Sequence, residues 1–255
     1  MTIRPAALCL AVLLPGCCGF PGEDLRTYPG LKDPEVIEHL RARQAQIGTL
    51  MAEGKGSLSG QKGSEGSFTW QSWSQGSSRL RLVLRHPGVG LLADVLVEGD
   101  RASCYDPEAG TLTKGPLDAL SVPGLAQTAC LVRLLSGPAD TLAFPESDGG
   151  RMALDIGNGR SWRILLDREH LTYETAELRA GDEILSRVTF EPGEYRMTGQ
   201  IPWPMRMLVD QPGADWKLKL RFTEVQPGAP LDPEVFKLKV PEGTKVVEAR
   251  PVPVG

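Results

Sequence analysis

The chain has 255 residues, with 28 Lys and Arg against 32 Asp and Glu and a formal charge of −4. No block of like charge stands out, so the electrostatic footprint of a nucleic-acid binder is missing. Glycine (29) and proline (21) are abundant but punctuate apolar runs rather than build a low-complexity tract, which fits one sizeable β domain rich in turns.

At the start, Arg4 precedes an apolar run over 6–14 that closes on Leu14-Pro15-Gly16-Cys17. A positive start, a short apolar core and a small residue before cysteine make a secretory signal. The run is far short of the roughly twenty residues needed to span a bilayer. Its closing motif resembles the lipobox of bacterial lipoproteins. That resemblance implies a signal peptide over 1–16 and an acylated Cys17 as the first mature residue; the alternative is an ordinary secreted protein cut before Cys17. Several acyl chains would anchor stably, since each buried methylene contributes about 0.8 kcal/mol. Residues 17–32, rich in Gly, Pro and charge, read as a lipidated tether. Cys18 stands where Asp would hold an enterobacterial lipoprotein in the inner membrane, so the resemblance implies the periplasmic face of the outer membrane.

Five cysteines are present. Cys9 leaves with the signal and Cys17 and Cys18 sit at the anchor. Cys104 and Cys130 remain, in a compartment where disulfides persist. They are candidates for a bridge, the alternative being two buried thiols acting as small hydrophobes.

Asp33-Pro34-Glu35 opens a helix, with Asp33 expected as N-cap and Pro34 in the first turn. Val36, Ile37, Leu40, Ile47 and Leu50 follow at helical spacing, over about fifteen residues. From Gly54 the apolar period falls to two. Strands are expected around Phe68 and Trp70, then over 79–85, 91–97 and 102–105. A mostly apolar helix over 117–135 interrupts, stopped by Gly137-Pro138. Strands resume over 152–156, 162–166, 171–179, 184–190, 205–209 and 216–225, with Asn158-Gly159 a strong hairpin signal. The last strand alternates Trp216, Leu218, Leu220 and Phe222 with Lys217, Lys219 and Arg221. These elements predict a mainly β fold, a curved antiparallel sheet of about ten strands forming an unclosed half-barrel under a helical lid. The domain spans 33–248, and 249–255 form a tail.

Four stretches resemble the LolA/LolB lipoprotein-carrier superfamily, LolB-type acceptors in particular. Arg79-Leu80-Arg81-Leu82 with His86-Pro87-Gly88-Val89-Gly90 is similar to their strand and protruding loop. Cys130-Leu131-Val132-Arg133-Leu134-Leu135-Ser136-Gly137, after Pro123-Gly124-Leu125, is similar to their lid-forming helix. Ile201-Pro202-Trp203-Pro204 resembles the Pro-marked lead into a late strand. Leu231-Asp232-Pro233-Glu234-Val235-Phe236 with Val240-Pro241-Glu242-Gly243 resembles the ending of LolA-like relatives. The chain departs from the pattern in Val89, where a bulkier apolar tip is usual, and in the Phe236 ending.

The resemblance implies an acyl-chain cavity lined by Leu80, Leu82, Leu84, Trp162, Leu218, Leu220 and Phe222. Leu131, Leu134 and Leu135 would form the lid, and Val89 with Leu91 a membrane-insertion loop. For each residue singly, plain core packing is the competing account. The expected partners are acyl chains of lipoproteins or other lipids, a LolA-like carrier and the membrane surface, with the protein a monomer that needs no cofactor. A second function class is an envelope module binding a protein or polysaccharide through exposed Trp70 and Trp73. An enzyme is disfavoured. The histidines are His39, His86 and His170, no H-E-x-x-H or G-x-S-x-G occurs, and Ser59-Gly60-Gln61-Lys62 matches S-x-x-K without a partner motif.

Overall fold

The structure is a computed structural model that describes residues 25–60, 65–76, 78–119, 142–145, 151–157, 159–212 and 216–249. Helix α1 (Asp33–Ile47) comes first, as its spacing predicts. It starts one residue earlier than expected: Lys32 is the N-cap, and its backbone N–H donates to the Glu35 carboxylate at 2.8 Å. Asp33 lies inside the first turn, where the helix dipole favours an acid, and is drawn into an ion pair with Arg168 at 2.7 Å. Gly48, at φ 48°, ends the helix, so Leu50 belongs to the following strand. The stripe Val36, Leu40, Gln44 and Ile47 is buried.

Strands β1 (Thr49–Gly60), β2 (Glu65–Gln75), β3 (Arg79–His86), β4 (Gly90–Glu98), β5 (Arg101–Asp106) and β6 (Thr111–Pro116) form a meander. A 3-10 turn over Leu117–Ala119 follows; the rest of the apolar helix expected over 117–135 lies outside the described residues. The chain continues through β7 (Leu142–Ala143), β8 (Met152–Gly157), β9 (Arg160–Asp167), β10 (Thr172–Ala180) and β11 (Glu183–Phe190). Then come β12 (Tyr195–Thr198), β13 (Ile201–Pro204), β14 (Arg206–Asp210), β15 (Trp216–Pro227) and β16 (Lys245–Glu248).

One sheet takes fourteen strands in the order β16-β6-β5-β4-β3-β2-β1-β15-β14-β11-β10-β9-β8-β7. It is curved and does not close, and it is antiparallel except where β16 runs parallel beside β6. The count exceeds the ten expected from sequence because β1, β6, β7 and β16 give weak signals. β1 is rich in Gly and Ser, β6 carries Lys114-Gly115-Pro116, and β7 and β16 are two and four residues long. Five strand pairs shift register, β1/β15, β3/β4, β8/β9, β9/β10 and β10/β11. Such bulges bend a sheet and raise its twist, which accounts for the curvature. Strands β12 and β13 make a separate hairpin.

The inner face carries the core. Its rows run across the sheet from β5 to β8, for example Ala52, Ser72, Leu82, Val95 and Cys104 on one side and Leu218, Val209, Val188, Ala176, Ile164 and Met152 on the other. Helix α1 and Ile201, Trp203 and Met205 join the same cluster. The outer face bears the charges, and the C-terminal segment crosses part of it. Thr49 Oγ1 donates to Ala229 O at 2.6 Å, Arg81 Nη1 donates to Val235 O at 2.8 Å, and β16 then lies along β6.

Candidate functional site

The cavity residues singled out from sequence come together. Leu80, Leu82, Trp162, Leu218, Leu220 and Phe222 are all buried on the inner face, and Leu84 is half-buried there. The lid residues Leu131, Leu134 and Leu135, and the anchor Cys17, lie outside the described residues.

The floor of the inner face has a distinctive build at β1. A side-chain carbon on Gly54 would stand 2.7 Å from the Trp70 ring, and one on Gly56 would stand 2.3 Å from Phe68. Both rings therefore lie across bare glycines, the packing known as aromatic rescue. The Trp70 indole N–H donates to Lys55 O at 3.3 Å, which holds the ring down. Large side chains that lie flat fill less of the space above a sheet than the same side chains standing up. Trp70 is thus buried against the sheet, which removes it as the exposed contact residue that the second function class would need. Trp73 is half-buried on the opposite face, beneath the Arg81 guanidinium at 5.8 Å.

Sequence reasoning missed Trp203. The β12–β13 hairpin folds it onto the inner face, where its ring meets Phe222 edge-on at 5.9 Å, and Phe222 in turn meets Trp70 at 4.8 Å. Pro202 and Pro204 flank Trp203 and mask any strand signal. Trp203 and Trp162 share a second property: each is buried with an indole N–H that has no hydrogen-bond partner among the described residues. Leaving such a donor unsatisfied costs about 1–3 kcal/mol.

At the far end of β3, the turn His86-Pro87-Gly88-Val89-Gly90 projects Val89 with 75% of its surface exposed. The predicted companion Leu91 is half-buried, whereas Leu92 is 38% exposed. A register shift between Leu84 and Arg85 accounts for this: Leu84 faces Ala93, Arg85 faces Leu91, and Leu92 is the extra residue in the bulge. Nothing in the local sequence marks that bulge.

Cys104 is buried on the inner face, and its expected partner Cys130 lies outside the described residues. Burial first, then Asp106 and Asp94, push the Cys104 thiol up to about 11, so at neutral pH it is a packing group and not a nucleophile. Among the described residues, no group of His, Cys, Asp and Glu is placed to hold a metal ion, and no helix is long and apolar enough to cross a membrane.

No protein-family model and no curated protein sequence matches the chain. Solved structures do. A LolA superfamily protein from Nitrosomonas europaea superposes with a TM-score of 0.60 at 11% identity, covering 82% of this chain and 98% of that one. The fold is LolA-like. An outer membrane lipoprotein-sorting protein domain from Vibrio parahaemolyticus gives a TM-score of 0.57 at 14% identity, covering 80% of this chain and 95% of that one. A DUF1329 family protein from Desulfovibrio piger gives 0.51 at 13% identity, over 81% and 98% of the two chains. At such identities the likeness is one of fold. Within the LolA-like sheet, the apolar inner face, the hairpin with Trp203 and the Val89 turn are this chain's own functional candidates.

Proposed function

We propose that this protein is a lipid-anchored component of the bacterial envelope that binds acyl chains against the inner face of its sheet. One observation carries this reading: buried apolar side chains from twelve of the fourteen strands, β5 round to β7 in sheet order, form one cluster on the inner face of a curved sheet that does not close. Flattened aromatics at Gly54 and Gly56 and two indole donors without a partner among the described residues add to it, since an acyl chain that ends in a carbonyl offers both hydrocarbon and an acceptor. The named structural relatives include a protein of lipoprotein sorting, which favours a carrier or acceptor over an enzyme.

The chemistry is hydrophobic transfer. Moving about 400 Å² of acyl surface into water costs on the order of 10 kcal/mol at about 25 cal/mol per Å². A client therefore leaves its donor only when a matching apolar surface is offered. In this reading the signal over 1–16 is removed, Cys17 is acylated, and 17–32 tether the domain to the periplasmic face of the outer membrane. The segment carrying Leu131, Leu134 and Leu135 closes over the chains, and Val89 with its neighbours Leu91 and Leu92 enters the bilayer to release them. A LolA-like carrier is the natural donor.

The test is direct. The Cys17→Ala chain is purified from cells, extracted with organic solvent, and then titrated with a fluorescent fatty acid. Acyl chains in the extract and saturable binding that unlabelled fatty acid competes away are expected. A clean extract together with no saturable binding overturns the proposal. For the anchor, the mass of the native amino terminus must show an acylated Cys17.

A further inference from the structure

A second site lies beside α1. Between α1, the turn joining β9 to β10, and the turn joining β12 to β13 is a half-open cleft of about 200 Å³. Arg26, His39, Arg43 and His170 line it, with Leu40 and Leu171 at its apolar side, and no carboxylate is among its lining residues. In a chain whose formal charge is −4, a cleft with two guanidinium groups, two imidazoles and no acid is a marked local departure. Its volume is below the roughly 300–1,000 Å³ of sites for drug-sized ligands, so it suits a small anionic group rather than a whole lipid.

The cationic groups are positioned in advance. Arg43 Nη1 donates to Leu171 O at 2.8 Å and its guanidinium lies over the Tyr173 ring at 5.2 Å. That bond uses one of five N–H donors and fixes the plane of the rest. Leu171 itself has φ 53°, a left-handed conformation that bulky residues rarely adopt, and its carbonyl is the group that Arg43 grips. His170 Nδ1 is hydrogen-bonded to Asp167 Oδ2 at 2.8 Å, an arrangement that turns the other ring nitrogen outward from the pair. Burial opposes the charge on Asp167, but the His170 ring and the amides of Glu169 and His170 outweigh it and hold the carboxyl below its ordinary range. The His39 ring is braced by Tyr28 at 5.0 Å, and Arg26 has no ion-pair partner among the described residues.

We propose that this cleft binds a phosphate group, and that its source is the headgroup of a glycerophospholipid. The lipid source rests on the anchoring proposed above. Arg26 is nine residues from Cys17, so an acylated Cys17 is at most about 32 Å from the cleft along a fully extended chain. The N-terminal segment is tied beside the cleft, since Tyr28 N–H donates to Glu169 O at 2.7 Å and Arg168 Nη2 donates to Leu31 O at 3.1 Å. The anchor thus keeps the cleft within reach of headgroups.

The experiment uses the full chain carrying Cys17→Ala and three soluble probes: inorganic phosphate, dihexanoyl phosphatidylglycerol below its micelle concentration, and fluorescent fatty acid. Binding is read by calorimetry and by the ring resonances of His39 and His170. Phosphatidylglycerol should bind and shift both histidines, with inorganic phosphate competing weakly. Arg26→Gln should weaken it about tenfold, as expected for losing one charge-assisted contact, and His39→Gln should do the same with the fold intact by circular dichroism. Neither substitution should alter fatty-acid binding. Shifts with inorganic phosphate alone would keep the anion site and overturn the lipid source. No shift with either probe, or affinity unchanged in both variants, would overturn the site while fatty-acid binding still decides the acyl-chain proposal by itself.

Discussion

The two faces of this sheet are held by different physics. Inside, stability comes from area: Trp162, Trp203, Phe190, Ile164 and Val95 are fully buried, and Ser74 Oγ and the Trp162 and Trp203 indole N–H groups have no hydrogen-bond partner among the described residues. Outside, it comes from directed charge. Glu177 takes Arg179 at 2.9 Å, Arg187 at 2.8 Å and Arg151 at 3.9 Å, and Asp94 takes Arg81 through two bonds of 2.8 and 2.6 Å. Directional pairs fix the relative positions of strands, whereas apolar contact is indifferent to what supplies it.

The largest expected effect sits inside. Trp162→Ala should cost about 3–5 kcal/mol, the range for removing a buried aromatic side chain, read from denaturant midpoints. Trp73→Ala, half-buried outside, should cost less than half of that. Equal losses would break the contrast. Next comes the strap. Asp94→Ala leaves Arg81 largely buried without its carboxylate and should cost about 2–4 kcal/mol, reduced from the fully buried case because some of Arg81 reaches water. Because Arg81 also grips Val235 O and its neighbour Arg79 lies over Phe236, proteolysis should then appear first within 229–249.

How much of this was legible depended on how the residue types announce their surroundings. Alternating Leu80, Leu82 and Leu84, or Trp216 to Phe222, can only mean strands with one apolar face, and those strands are where they were expected. The ten strands read from sequence are all in the sheet. What stayed hidden was set by distant partners. β1 spells Gly54 and Gly56 where the rings of β2 need room, so its weak strand signal is a consequence of tertiary packing. Trp203 reads as a Pro-flanked oddity until the hairpin folds back. The cationic cleft draws Arg26, Arg43 and His170 from three parts of the chain, with no spacing that a motif could capture. The Leu92 bulge has no local mark either.

A smaller effect separates the faces by pH. Burial works against the charge on Glu177, but the bonds from Arg187 and Arg179 prevail and hold its carboxyl below the ordinary 4.5. A depressed carboxylate contributes stability that is fully present above its unfolded value and is lost as pH falls through the folded one. Unfolding free energy should therefore decline below about pH 4.5, and Glu177→Gln should flatten part of that decline. Trp162→Ala should shift the whole curve down without changing its slope. A Glu177→Gln profile parallel to the parent would show that the outer pairs contribute no linkage.

The smallest effect on stability carries the most weight for function. Val89 is 75% exposed at the tip of a tight turn and belongs to neither face, so Val89→Asp should leave the denaturant midpoint within about 0.5 kcal/mol of the parent. Folding does not require an apolar residue there. If the tip enters the bilayer, the same substitution places a carboxylate in hydrocarbon, a change opposed by several kcal/mol. Transfer of a bound fluorescent acyl chain to vesicles should then slow by at least about tenfold while the affinity for that chain is unchanged. Undiminished transfer would remove the tip from the mechanism.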